Sequence, residues 1–401
     1  MARFRFLTAG ESHGKGLMAI VEGMVAELPL EEAYINGELK RRQQGYGRGP
    51  RMKIEDDKAE VIAGVRHGLT TGSPIALSIT NRDWENWQQE LSVSPVDKEV
   101  EPVTCPRPGH ADLAGVTKYG LQDIRPIMER ASARETTARV AVGAIARRFL
   151  EELGIVIRSH TVGIGQCHCE RSEANSIDWR KVEASPVRCG NSALGNAMTA
   201  AIDEAKANGD TLGGTFEVVA TGVPIGLGSH VSWDRRLDGR IARAIMSINA
   251  VKGLEIGAGF ALSALKGSQA HDVIEPLTGT LSLGGRGLGE GEAKQPLAWR
   301  HPTNRAGGIE GGISNGEDIV IRAVVKPIAT LASPLPSIDL RTKKATKAHY
   351  ERSDICVVPA AGVIGEAMLA IVLTDACLEK FGGDNLEETL ANHRNYLSNV
   401  S

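Results

Sequence analysis

Serines, histidines, arginines and carboxylates fall in groupings that could move protons on an anionic ligand. Gly10-Glu11-Ser12-His13-Gly14 sets a hydroxyl beside an imidazole and spells the nucleophile elbow of hydrolases. Arg42, Arg48 and Arg51 stud the run Arg41 to Arg51, where glycines let backbone approach a ligand and guanidinium forks match carboxylate or phosphate oxygens. Arg130, Ser132 and Arg134 crowd a helix start, whose free N–H groups and positive dipole end attract anions. His110 follows a Pro-Gly turn just ahead of that helix, and Arg352-Ser353-Asp354 precedes another. Taken singly, each grouping also fits a structural role: a turn, a solvated basic loop, a capped helix, an ion pair.

The elements that must position these residues are partly readable. Ser132 with Glu135 three residues on predicts a reciprocal capping box, and Thr136 to Ala146, small or apolar except for Arg139, predicts a buried central helix. Phe4 to Leu7 alternates like a strand and Leu17 to Gly23 reads as another, whereas a hydrolase elbow should run straight into a helix. A helix is expected from about Leu30 into the arginine loop. Strands are expected at Thr215 to Ala220 and Ile319 to Val325, rich in β-branched residues. Helical spacing returns from Asp234 to about Ile248, ending at Asn249-Ala250, and a last apolar helix runs to Lys380 before Gly382-Gly383. Gly72-Ser73-Pro74-Ile75, Gly222-Val223-Pro224-Ile225 and Val325-Lys326-Pro327-Ile328 hint at a repeated strand unit. The polar stretch at about 151–209 reads as a peripheral insertion. Long glycine-rich loops at 283–291 and 305–312 read as binding loops.

Exclusions narrow the field. No segment spells a Walker phosphate loop or a dinucleotide fingerprint between strand and helix. A net charge of -3 argues against nucleic acid or a membrane surface as main partner and makes the arginine clusters a local matter, pointing to a small anionic ligand. The start lacks a signal peptide's apolar core, and no run is expected to span a bilayer, so a cytoplasmic location is expected. Six cysteines in 401 residues read as free thiols, with Cys167-His168-Cys169 too tightly spaced for a zinc knuckle.

Jointly the motifs resemble the chorismate synthase family. The matching stretches are Thr8 to Gly14, Gly45 to Gly49 with Arg51-Met52, Arg107 to Asp112, Arg130 with Ser132 to Thr136, Asn249 to Gly253, Gly307 to Gly312, Lys326-Pro327-Ile328 and Arg352-Ser353-Asp354, spread over nearly the whole chain in the family's order. The family usually carries paired serines after the central arginine, and here the first is Ala131. The resemblance implies an α/β fold of the α+β type, one large domain with antiparallel sheets enclosing central helices, assembled as a homotetramer. It implies conversion of 5-enolpyruvylshikimate 3-phosphate to chorismate and phosphate with reduced FMN and no net redox change. By the same resemblance His13 protonates the leaving phosphate, His110 sits beside the flavin, Asp354 takes the proton on, and Ser12 and Ser132 hold the network in register. Arg48, Arg51, Arg107 and Arg134 would bind substrate. Flavin contacts would come from Arg130, Ala131, Ser132, Asn249, Ala250, Gly311, Lys326, Pro327, Ile328, Ala329, Thr330 and Arg352. Arg42 and Arg48 match positions assigned to NADPH, although substrate phosphate suits them equally. Reduced flavin could come from the chain's own use of NADPH or from a separate flavin reductase. A serine hydrolase built on Ser12 and a non-catalytic anion-binding regulatory module are the two other classes open to these residues.

Overall fold

The computed structural model describes residues 3–49, 56–97, 99–168, 177–276 and 298–400. Arg5–Gly10 (β1), Gly16–Glu22 (β2), Ala59–Ala63 (β3) and Ile75–Thr80 (β4) form an antiparallel sheet ordered β1-β2-β4-β3. Its period is legible in β2, where Leu17, Ala19 and Val21 are buried while Met18 and Ile20 face outward. The β1–β2 turn closes so tightly that a Cβ on Gly10 would stand 2.3 Å from the Gly16 carbonyl oxygen, and Gly10 has a φ of +108°, so glycine is required there. Val156–Ile164 (β5), Cys167–His168 (β6), Gly214–Thr221 (β7), Val251–Ile256 (β8) and Ile319–Val325 (β9) form a second antiparallel sheet ordered β8-β9-β7-β5-β6.

Between the sheets lie helices. In chain order the helices used below are Glu32–Gln43 (α1), Asp112–Tyr119 (α2), Arg125–Ala131 (α3), Thr136–Glu152 (α4), Ser192–Ala207 (α5), Leu237–Met246 (α6), Val358–Phe381 (α7) and Leu386–Val400 (α8). The first sheet lies on α4, α4 packs on α7, and α7 packs on β5 and β7. Small residues permit the close crossings: a Cβ on Gly143 would fall 2.3 Å from that of Ala367, and one on Gly365 would fall 2.7 Å from the Phe216 ring. One hydrophobic core runs from Phe4 to Leu386 through both sheets. The architecture is therefore α+β, antiparallel sheets enclosing central helices.

Four expectations need correction. The 24-residue α7 is long and apolar enough to cross a membrane, contrary to the expectation of no such run, but 94% of its most apolar stretch is buried inside the fold, so it is the core helix. The reciprocal capping box does not form: the Ser132 hydroxyl accepts from the Arg134 N–H, and Glu135 turns to the Thr8 hydroxyl and to Arg139, one turn along the helix. A charged partner at i+4 and a hydroxyl on β1 draw that carboxylate away from the backbone, and α4 begins at Thr136 after a short 3-10 turn. The stretch 151–209 is not all peripheral, since it contains β5, an inner strand hydrogen-bonded along β7. The three similar segments are not one unit, because the first leads into β4 whereas the others follow β7 and β9.

Candidate active site

The turn between β1 and β2 carries Ser12 and His13 and is tied down from two sides. Asn81, just past β4, donates to the carbonyl oxygens of Glu11, Ser12 and Gly14 at 3.0, 3.2 and 2.7 Å. Glu129 on α3 takes the His13 N–H at 2.6 Å, and its other carboxylate oxygen lies 2.7 Å from His13 Nδ1. Trp87 stacks on the imidazole at 4.2 Å between ring centroids. The Ser12 hydroxyl lies 3.0 Å from that of Ser132. The turn therefore joins two antiparallel strands with no helix after it, and the geometry of a hydrolase elbow is absent.

His110 is held the same way by a different carboxylate. Asp112, fully buried at the start of α2, lies 2.5 Å from His110 Nδ1 and accepts from Arg107 Nε, Nη2 and backbone N–H. Burial opposes the charge on Asp112, but the bonds from His110 and Arg107 outweigh it and hold this carboxyl well below the usual carboxylate range. Arg107 also reaches Thr330 and Glu351.

The arginines are less free than their spacing suggests. Arg134 pairs with Asp57 at 2.7 Å and donates to Asn81. Arg42 is buried, with its donors directed to the Thr136 hydroxyl, the Ala133 carbonyl and Asp57. Burial lowers Arg42 to about 10, against the pull of Asp57, so it stays charged at neutral pH. Arg48 Nε lies 3.3 Å from Asp354, whose other oxygen accepts the Gly49 N–H at 2.5 Å. Arg51 lies outside the described residues, as do Met52, Cys169 and the glycine-rich loop at 283–291.

These residues face one cleft of about 950 Å³. Its lining includes Ser12, His13, Arg42, Arg48, Ser132 and Arg134. It also includes Arg107, His110, Arg352 and Asp354, together with Asn249, Ala250, the strip Lys326 to Thr330, and Ala131 next to Ser132 in the chain. The strip is fastened where the Lys326 N–H donates to the Ala250 carbonyl at 2.9 Å and the Lys326 ammonium reaches the Gly109 carbonyl. Arg130 and Gly311 do not line the cleft. Arg130 turns to the Thr8 and Gly10 carbonyls at the end of β1, and Gly311 sits in the Ile309 to Ser314 hairpin near α6. Asp57, Asn81, Trp87 and Glu129 were not anticipated. Glu129 is 116 positions from its partner, so no local spacing marks it; Asn81, after a strand, carries at most the signal of a turn residue. Among the described residues no cluster could hold a metal ion, and Cys105, Cys167, Cys189, Cys356 and Cys377 are free thiols.

Such a cleft, basic and furnished with two carboxylate-held histidines, suits proton transfer on a small anion. The chorismate synthase family model matches residues 4–378. The chain belongs to the chorismate synthase family. It is 56% identical to the chorismate synthase of Moorella thermoacetica, over 99% of this chain and 100% of that protein, and 53% identical to that of Aquifex aeolicus, over 99% and 98%. A crystal structure of chorismate synthase superposes with a TM-score of 0.75 at 43% identity, covering 99% of this chain and 98% of that one. The family's members are lyases of the shikimate pathway, and this chain is an enzyme of that class.

Proposed function

We propose that this chain converts 5-enolpyruvylshikimate 3-phosphate to chorismate and phosphate by 1,4-elimination, with reduced FMN and no net redox change. The observation that carries the reading is the meeting of His13, His110, Asp354 and Arg48, Arg107, Arg134 and Arg352 on one cleft, since the substrate bears two carboxylates and a phosphate. Arg48 and Arg352 would pair these anions directly, and Arg51 would join them. Arg42 and Arg134, turned toward Asp57, would supply charge from behind. The cleft fits a flavin beside substrate in volume, and the buried Asn249 Oδ1, without a hydrogen-bond partner among the described residues, is the acceptor a ring N–H of such a group needs. Ala131, Ser132, Asn249, Ala250 and Lys326 to Thr330 would hold it. Reduced FMN, when bound, supplies electron density to the departing carbon–oxygen bond and a place for the hydrogen lost from carbon.

The chain's own residues do the rest. His13, when it carries a proton on each ring nitrogen, would donate the Nε2 proton to the leaving phosphate, because Nδ1 is occupied by Glu129. Asp354, paired with Arg48 at 3.3 Å, would take on the proton lost in the elimination, while Ser12 and Ser132 would keep the turn and the helix start in register. His110, its Nδ1 turned to Asp112, would stand beside the flavin.

We propose a homotetramer as the assembly. Leu7, Met18 and Ile20 are 71%, 54% and 50% exposed on the outer face of the first sheet, Leu7 paired directly with Ile20, an apolar surface that a second copy would cover. Arg130 and Gly311, outside the single-chain cleft, would then belong to a site shared between subunits. A cytoplasmic location is part of the same reading.

Anaerobic incubation with substrate and chemically reduced FMN tests it. Chorismate and phosphate should form in equal amounts, and no product under these conditions would overturn the reading. Turnover with NADPH and oxidised FMN alone would mark a chain that reduces its own flavin; turnover only with pre-reduced FMN would mark dependence on a separate flavin reductase.

A further inference from the structure

Glu129 has no role in the reading above except through its neighbour. Its side chain is 2% exposed, and among the described residues the hydrogen bonds of its carboxylate all go to His13, at 2.6 Å from the backbone N–H and 2.7 Å from Nδ1. Its carbonyl oxygen accepts the Ser12 N–H at 3.2 Å, so one residue fixes both members of the turn. A backbone N–H can only donate, so one carboxylate oxygen meets it as an acceptor, while the other faces Nδ1 in the arrangement by which a carboxylate takes a hydrogen bond from each. That arrangement suits a proton on Nδ1. Trp87 lies over the imidazole face, inclined by 28°, and its indole N–H donates to Asp83, which keeps the stack from swinging away.

We propose that Glu129, with Trp87, is a positioning residue for the reaction: it keeps the Nδ1 proton of His13 in place and holds the ring so that Nε2, whose own proton is the one transferred, is the atom presented to the leaving phosphate. The inference rests on the assignment of His13 as the proton donor. Second carboxylates of this kind set tautomer and orientation in many histidine-based sites.

Glutamine at this position keeps the shape but has one acceptor oxygen for two donors. Glu129→Gln should lower kcat roughly tenfold to hundredfold with KM changed less than about threefold, and with an unaltered thermal midpoint. In a His13→Ala background the same change should cost less than about twofold, because a residue acting through His13 has nothing left to act on. Trp87→Phe should keep most turnover and Trp87→Ala should not. A wild-type rate in Glu129→Gln, or an equal loss with and without His13, would overturn the proposal.

Should that variant fold poorly, the unmodified protein still decides the matter. Nitrogen-15 spectra of its histidines, with His13 assigned by difference from His13→Gln, should show neutral His13 protonated at Nδ1; protonation at Nε2 would sink the idea. Wild-type turnover with reduced FMN is measured first, so failure of the proposed reaction is seen separately from failure of the positioning role.

Discussion

Arg41 and Arg42 are neighbours at the end of α1, yet they serve two different arginine–carboxylate clusters. Arg41 enters a knot with a buried centre, where Glu366 on α7 receives its fork at 2.7 and 3.0 Å, Arg147 at 2.6 Å, Arg188 at 3.4 Å and the Ser159 hydroxyl at 2.6 Å. Glu38 and Glu183 complete it. Arg42 enters the cleft, whose carboxylates Asp57, Asp112, Glu129 and Asp354 hold arginines and histidines from behind while the front stays open. Residue types and partners are alike, and what differs is that one cluster borders the cleft and the other does not. The knot ties α1, α4, β5 and α7 together, whereas the cleft keeps its charges beside a space large enough for ligands. Arginine and glutamate in proximity therefore indicate function only when the fold leaves them an unoccupied side.

The knot should fail first when its centre is removed. Glu366→Ala leaves three guanidinium groups crowded without their common carboxylate, and breaking a buried pair from one side costs about 3–5 kcal/mol, a large share of typical domain stability. Denaturant unfolding should show that loss, while chorismate formation per folded molecule stays near wild type; a parallel collapse of chemistry would erase the distinction between the clusters.

Acid gives a second view of the same group. Burial opposes its charge, but Arg41 and Arg147 prevail and hold Glu366 at about 2, below its ordinary 4.5. A carboxyl depressed by folding stabilises above its unfolded value, and the contribution is lost as pH falls from 4.5 toward 2. Glu366→Gln should thus unfold with a shallower dependence on pH across that interval, read by far-UV circular dichroism. An unchanged acid limb would mean the knot contributes little.

In the cleft the same kind of change should spare the fold and stop the reaction. His110→Ala is expected to lower turnover by roughly two to four decades, the range for losing a positioned acid or base. Asp354→Asn, which keeps shape but not basicity, should leave flavin and substrate affinity near normal with strongly reduced turnover. Equilibrium titration with single-turnover kinetics separates the cases: if affinity collapses while bound substrate reacts at the normal rate, Asp354 is a binding residue.

How far the sequence foretold this depends on the range of each interaction. Strands β1, β2, β7 and β9 and helices α4 and α7 follow from local periodicity and stood out at once. The strand β5 did not, because Arg158, Ser159, His160 and Thr161 read as a polar surface stretch. In the fold Ser159 serves Glu366, His160 meets Glu217 at 3.1 Å and Arg158 lies over the Trp179 ring, so polar letters are buried through partners far away in sequence. Most of the cleft was legible through motif resemblance, yet two of its supporting carboxylates, Asp57 and Glu129, were not. Asp57 lies in no recognisable pattern, and the same letters that put Arg42 in the cleft put Arg41 in the knot.

The smallest expected effect is the one that tests whether the arginine loop belongs to the cleft's open side. Arg48 is 11% exposed and its Nε stands 3.3 Å from Asp354, so it could act on substrate or merely brace a carboxylate, as Arg41 braces Glu366. If it binds an anionic group through a charge-assisted fork worth about 1.5–3 kcal/mol, Arg48→Ala should raise KM roughly tenfold to hundredfold with little change in kcat. Arg48→Lys should recover only part of that, because a point charge cannot reproduce two parallel N–H donors. A fall in kcat at unchanged KM would instead make Arg48 a brace for Asp354. Unchanged kinetics in both variants would return the loop to a structural role and leave the two arginine clusters with no functional difference at this position.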